Sequence, residues 1–412
     1  MIPSGQSIHK WRSSRAARYT ACLLFLAAPV IPLSAQPHQA CNPQQAFGKI
    51  DGLLKDKQYD EAQAALHQLQ SCHNLSALET FNLGWFYGRA RDFKTALTIF
   101  KTVPPNVPDV AIHQYAVALG QFELQDYHGA VETLKGLQSQ GLLDAKSANL
   151  LGVSYSKLGL YHDAYPVLTD EIRRDPHDLM AYLNLVALLV DSADFKDAAD
   201  TATRATEAFP DDPEVFVVLG AADSLLGKFE KAYVDFAKAI QLAPREAEPR
   251  FLLALTDYKQ RNFARAITEL RSAIGSGIVD SDLHYLLAEC MLQLDASKTK
   301  DALAELNQAI EINPNSVSAR TLRGRLLLEE KRPKEAIVDL EVAYHIDSTS
   351  HSAAYTLARA YSAAGRKDEA KILFARLSKQ FQRDLEDQNH MEIVDELSQQ
   401  RLKKVLAGGS AQ

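Results

Sequence analysis

Alanines at a fixed interval constrain this chain more than any other feature. Ala62, Ala96, Ala130, Ala164, Ala198, Ala232 and Ala266 stand 34 residues apart. A second series runs twelve residues ahead: Ile50, Gly84, Ala118, Gly152, Val186, Gly220 and Ala254, then Ala288. Other positions keep the same phase. Leu83-Gly84 is followed by Ala96, Phe100 and Pro108, and Leu151-Gly152 by Ala164, Leu168 and Pro176. Phe216, Leu219 and Gly220 lead to Ala232, Phe236, Ala239 and Pro244. Two residues are inserted near Ala296-Ser297, after which Ala302 and Pro314, Gly324 and Ala336, and Ala358 and Ala370 resume the phase. A period of this length marks an array of one small supersecondary unit, so the 412 residues are not parcelled into separate globular domains.

These residues resemble the tetratricopeptide repeat family, whose pattern is W-x₂-L-G-x₂-Y…A-x₃-F…P at this period. Ten copies are expected over 43–380: 43–76, 77–110, 111–144, 145–178, 179–212, 213–246, 247–280, 281–316, 317–350 and 351–380. The tryptophan position is degenerate (Phe216, Tyr182, Thr80, Arg250), and Ile50 stands where glycine or alanine is usual. The resemblance implies an all-α, right-handed superhelical solenoid of antiparallel helix pairs, with first helices lining the concave side. Positions 8 and 20 of a repeat are expected to touch and so to be small. Ala232→Leu would then overpack its pair at a cost of about 1–3 kcal/mol. Prolines 108, 176, 210, 244 and 314 fall where second helices must stop. Pro166 falls inside a second helix, where it removes a backbone donor. It reads either as a bend absorbed by packing or as a hinge after the fourth repeat.

The two ends differ from the array. Lys10, Arg12, Arg15 and Arg18 precede an apolar run from Tyr19 to Leu33, then Leu33-Ser34-Ala35. That order is a secretory signal, 1–35, cleaved after Ala35. The run is about 15 residues, short of the ~20 that span a bilayer. Cys41 lies too far downstream for lipidation, and Cys22 lies inside the run. Residues 36–42 form a linker. After Gln380 the period changes, and Phe381, Leu385, Ile393, Val394, Leu397, Leu402 and Val405 form an apolar stripe. A terminal repeat needs a polar outer face, so 381–406 is expected to be a capping helix, followed by a tail, 407–412. No later stretch is apolar enough to span a membrane. Loss of the four signal cations moves the formal net charge from −7 to −11, which argues against nucleic acid as a partner.

Catalytic and metal-binding patterns are missing from the sequence, so no enzyme activity, cofactor or metal is expected. His128 and His162 share a phase at the exposed start of second helices and read as surface residues. Asn74-Leu75-Ser76 matches a glycosylation sequon, a short motif with a high chance rate. The resemblance turns positions 2, 5, 9, 12 and 13 toward the groove. Phe47, Phe81, Trp85, Tyr115, Phe122, Phe251, Tyr258 and Tyr285 occupy such positions. Two readings stand: exposed anchors for a partner, or packing against adjacent first helices. The lysine and asparagine clamp of relatives that hold chaperone tails is absent, since positions 5 and 9 carry Phe47 and Asp51, Phe81 and Trp85, Tyr115 and Leu119. Arg325 and Arg359, at position 9 of the last two repeats, are candidates for an anion contact, or pair with neighbours such as Glu329.

The register also pairs cysteines. Cys41 precedes the first helix of repeat one and Cys72 follows its second, so the two ends are neighbours in an antiparallel pair. A Cys41–Cys72 disulfide is expected in an oxidising compartment, contributing about 3–4 kcal/mol in the chain-entropy model. Cys290 reads as a small core residue. The expected function is a periplasmic or secreted, non-catalytic scaffold that holds a peptide or protein segment in its concave groove. The rival is an assembly part of an envelope secretion, pilus or polysaccharide-export machine, using the convex face and ends. A third reading is an accessory subunit that positions substrate for a separate enzyme.

Overall fold

The computed structural model describes residues 42–71 and 75–384, which fall into two compact units, 42–209 and 210–384. The signal, Cys41, Cys72, Asn74 and residues 385–412 lie outside the described residues. Among the described residues every regular element is a helix.

The N-terminal unit comprises five helix pairs. They are α1 (Pro43–Lys55) with α2 (Tyr59–Gln70), α3 (Ala77–Arg89) with α4 (Phe93–Phe100), and α5 (Val110–Glu123) with α6 (Tyr127–Ser139). Next come α7 (Ala145–Lys157) with α8 (Tyr161–Arg174), and α9 (Leu179–Asp191) with α10 (Phe195–Ala208). The C-terminal unit has α11 (Pro213–Leu225) with α12 (Phe229–Leu242), and α13 (Ala247–Lys259) with α14 (Phe263–Gly275). It continues with α15 (Ser281–Leu294) and α16 (Thr299–Ile312), α17 (Val317–Glu329) and α18 (Pro333–Ile346), then α19 (His351–Ala363) and α20 (Lys367–Asp384). Residues 381–384, expected to open a separate cap, continue α20.

Local chemistry punctuates the pairs. All first helices but α13, which begins after Glu246 without one, start on a side-chain cap: Asn42, Ser76, Asp109, Asp144, Asp178, Asp212, Asp280, Ser316 and Ser350 each accept a backbone N–H of the first turn. They stop at position 15 in a left-handed residue, with two closing hydrogen bonds. In repeat two, Arg91 donates to the Gly88 carbonyl and Asp92 to the Tyr87 carbonyl, both at 2.9 Å. Glycine fills this position at Gly159, Gly227 and Gly365, whereas Lys57, Arg91, Gln125, Ala193, Arg261 and Lys331 hold positive φ without being glycine. The inserted pair of residues forms a 3₁₀ turn, Ala296–Lys298, in place of this stop. Pro176, Pro210, Pro244 and Pro314 lie just past second helices, as the spacing predicts, whereas Pro108 stands eight residues beyond α4, which ends at Phe100. Pro166 sits inside α8 on its exposed side, and the helix runs on to Arg174.

The small positions work somewhat differently from expectation. The nearest neighbour of a position-8 glycine is the side chain at position 24. A Cβ on Gly152 would stand 2.6 Å from Leu168 Cγ, one on Gly324 2.5 Å from Leu340 Cγ, and one on Gly84 2.8 Å from Phe100 Cε1. On Gly220 the Cβ would meet Phe236 Cε1 at 2.8 Å and, second, the Ala232 carbonyl oxygen at position 20, at 3.1 Å. Repeat five reverses the sizes, with Val186 at position 8 and Ala202 at position 24, both fully buried.

Candidate functional site

Within the N-terminal unit α5 packs on α7 and α7 on α9. Within the C-terminal unit α11 packs on α13, α13 on α15, α15 on α17 and α17 on α19. Successive first helices are thus close neighbours, and what they leave uncovered is the candidate surface. An aromatic residue at position 5 is sealed where another first helix follows, whereas Tyr355 in the tenth repeat stays exposed. Phe47, Phe81, Tyr115, Phe122, Phe251 and Tyr285 are buried, and Trp85 is only 9% exposed. Of the two readings, exposed anchors or packing against neighbouring helices, their burial matches packing. Phe47 stacks on Phe86 with centroids 5.1 Å apart, and Phe81 meets Phe100 at 5.2 Å. Phe122 meets Tyr127 edge-on at 5.2 Å. Tyr258 is half-buried and meets Phe263 edge-on at 5.5 Å.

The half-exposed residues on first helices are of other kinds. At positions 9 and 12 in the middle of the N-terminal unit they are small: Val153 and Ser156 on α7, Ala187 and Val190 on α9. Asp51 on α1 bonds Lys55 at 2.7 Å and Arg89 of α3 at 2.6 Å. Burial raises its carboxyl pKa, but the hydrogen bonds from Lys55 and Arg89 outweigh this and hold it below the ordinary value. In the C-terminal unit Arg325 reaches Glu289 on the preceding first helix at 3.4 Å, and Gln293 donates to Glu289 at 3.2 Å. Arg359 is exposed, with its guanidinium 5.9 Å from the ring centre of Tyr355, itself 53% exposed.

Sequence reasoning missed the buried polar groups of the N-terminal unit. Asn184 donates to Asn149 at 2.9 Å, and Asn149 donates to the Asp178 carboxylate at 2.7 Å. The Tyr115 hydroxyl and Ser147 Oγ are buried without a hydrogen-bond partner. Burial, with the Asp144 carboxylate second, pushes the Tyr115 phenol well up. Asparagine at position 5 or 6, where repeats usually carry an apolar residue, was the available signal.

Groups that would do chemistry are dispersed. His128 and His162 are exposed, and no three metal-capable side chains converge among the described residues. Cys290 is fully buried, and burial, then Glu289 and Asp257, push its thiol up, which suppresses the nucleophilic thiolate.

Paired helices stacked in register define a helical-repeat solenoid, a class that builds interaction surfaces rather than enclosed pockets. Tetratricopeptide repeat models match residues 149–213, 291–351 and 327–389, and the chain belongs to that family. A model described as anaphase-promoting complex, cyclosome, subunit 3 matches residues 225–309. Bovine BBSome complex member BBS4 is 23% identical over 216 residues, 49% of this chain and 41% of that protein. Human tetratricopeptide repeat protein 16 is 28% identical over 140 residues, 31% of this chain and 16% of that protein. The matched stretches thus span less than half of either relative. A tetratricopeptide repeat protein from Parabacteroides merdae ATCC 43184 is 16% identical with a TM-score of 0.48, covering 60% of this chain and 97% of that one. MamA 41-end from Desulfovibrio magneticus RS-1 is 16% identical with a TM-score of 0.35, covering 42% and 96%. The family and its fold are those of protein-interaction scaffolds.

Proposed function

We propose that the chain is a non-catalytic scaffold, exported to the periplasm or beyond, that holds a peptide or protein segment along its first helices. One observation carries this reading. Val153, Ser156, Ala187 and Val190 leave a half-exposed lane of small side chains on α7 and α9, where another chain can approach closely. On the C-terminal unit, Arg359, with Arg325 as it leaves Glu289, would offer a separate contact for a carboxylate. Export follows from the signal at 1–35, and the Cys41–Cys72 bond would close the N-terminal end. The rival, an envelope assembly part using its outer face, draws on Val234, Val338 and Ile372. These occupy position 22 of α12, α18 and α20 and are more than 60% exposed. The relative that is a BBSome complex member offers a parallel for such assembly. A photo-crosslinking residue placed singly at Ala187 or Val338 in living cells separates the two. Adducts from Ala187 alone support the first-helix lane; adducts from Val338 alone reject it for the outer face. Intact mass and a non-reduced digest of the exported chain check cleavage after Ala35 and the disulfide.

A further inference from the structure

Position 27 of the repeat, on or just after the second helix, is buried and apolar at Leu69, Leu137, Ala205, Ala239, Ala273 and Ala343. In repeat four it is Glu171, 1% exposed, near the end of α8. A carboxylate in such a place needs hydrogen bonds and a counter-charge to offset its lost hydration. Here it has little of either. The half-exposed Arg174 guanidinium stands 2.9 Å from Oε2, but off the hydrogen-bonding direction, and no hydrogen bond reaches that oxygen. Arg174 also donates to the Leu143 carbonyl at 3.1 Å, so it is shared.

The elements packed against α8 are α7 and α9, and each presents a further anion at its start. Asp144 caps α7, holding the Ser147 N–H at 2.9 Å, and Asp178 caps α9 while accepting from Asn149. Asp175 follows α8 directly and accepts the N–H of exposed His177 at 2.9 Å. Three further carboxylates therefore act on the Glu171 carboxylate at the joint between the fourth and fifth helix pairs, and Arg174 is the cation paired with it. The same helix carries Pro166, which removes one rung of its hydrogen-bond ladder. A buried charge and an interrupted ladder coincide on α8.

We propose that this joint is a proton-responsive clasp: protonation of Glu171 tightens α8 against α7 and α9, and ionisation of Glu171 loosens it. Burial raises the Glu171 pKa above its ordinary value of 4.5; Arg174 opposes this, while Asp178, Asp175 and Asp144 add to it. The folded joint therefore binds the proton more tightly than the unfolded chain does. Its stabilisation is complete below 4.5 and is lost as pH rises through the raised folded value.

The test uses the full chain and amide hydrogen exchange, corrected for intrinsic rates, at pH 5 and pH 8. Wild type should show protection in α8 and α9 that is several-fold higher at pH 5. Glu171→Gln, and Glu171→Ala, which restores the residue of later repeats, should abolish this difference and hold protection at the acid level. Pro166→Ala should raise protection at both pH values and leave the difference intact. Retention of the pH difference in both Glu171 variants, its absence from wild type, or its loss on His177→Ala instead would overturn the proposal.

Discussion

Substituting Gly152 by alanine sets two magnitudes against each other. Replacing glycine inside a helix normally gains about 1 kcal/mol. At Gly152 the new Cβ would stand 2.6 Å from both Cγ and Cδ2 of Leu168, which is fully buried. The branch point of a leucine cannot swing aside as a flexible terminus can, so a backbone or rotamer shift must follow. Overpacking of this kind costs about 1–3 kcal/mol, and the net result should be a loss of about 1 kcal/mol. Leu168→Ala alone should cost about 2–5 kcal/mol through the cavity it leaves. Combined, the added methyl enters space that the leucine vacated, as Val186 does opposite Ala202. The double variant should therefore lose less than the sum of the singles, by about 1–2 kcal/mol. Urea unfolding followed by circular dichroism gives the three values, and amide exchange in α7 and α8 localises them, because repeat arrays need not unfold in one step. Gly48→Ala on α1 is the control: no atom lies within 4 Å of its added Cβ, so it should gain stability. If Gly152→Ala were as stabilising as Gly48→Ala, or if the double variant were strictly additive, close approach would not explain the glycines.

Three further outcomes are expected. Ala193 holds φ of 61°, so Ala193→Gly should stabilise by up to about 1 kcal/mol, whereas Gly227→Ala, at φ of 70°, should destabilise, both read from urea midpoints. Asp339 is buried and accepts from Arg323 at 2.6 Å and from Arg320 at 2.8 Å, so Asp339→Ala should cost about 3–5 kcal/mol by thermal unfolding. Burial and then the Asp223 carboxylate push Asp235 up to about 6 from 3.8. Its contribution is complete below 3.8 and is lost as pH rises through about 6, so Asp235→Asn should raise the melting temperature at pH 8 and leave it unchanged near pH 3.5.

Periodicity made the helix pairs legible because each pair must bury the same contacts at the same offsets. It was silent wherever two repeats meet. Phe251 and Tyr285 satisfy the pattern for a groove residue, yet each is sealed by the neighbouring first helix, and no single repeat records that neighbour. Arg325 has Glu329 one turn along its own helix, but it reaches Glu289, which is 36 residues away in sequence. The left-handed stops were visible only at Gly159, Gly227 and Gly365. Lys57 and Ala193 adopt the same conformation because the closing hydrogen bonds and the packed pair outweigh its cost. Glu171 looked like an ordinary polar residue of a second helix. Its burial depends on the axial rotation of α8, which the position-27 alanines of later repeats could have disclosed.

The caps and stops have a bearing on how such a chain can change length. Nine of the ten blocks carry a starting side chain at their boundary, the seventh excepted, and nine carry a left-handed stop at position 15, the eighth excepted. Duplicating a block copies a complete set of instructions for one more pair, with no new boundary to invent. The insertion at 296–298 is the exception, because its turn is built from residues that no other block carries. A duplicated block that carries both a cap and a stop therefore needs nothing from its neighbours to begin and end its first helix, whereas the eighth relies on its own inserted turn.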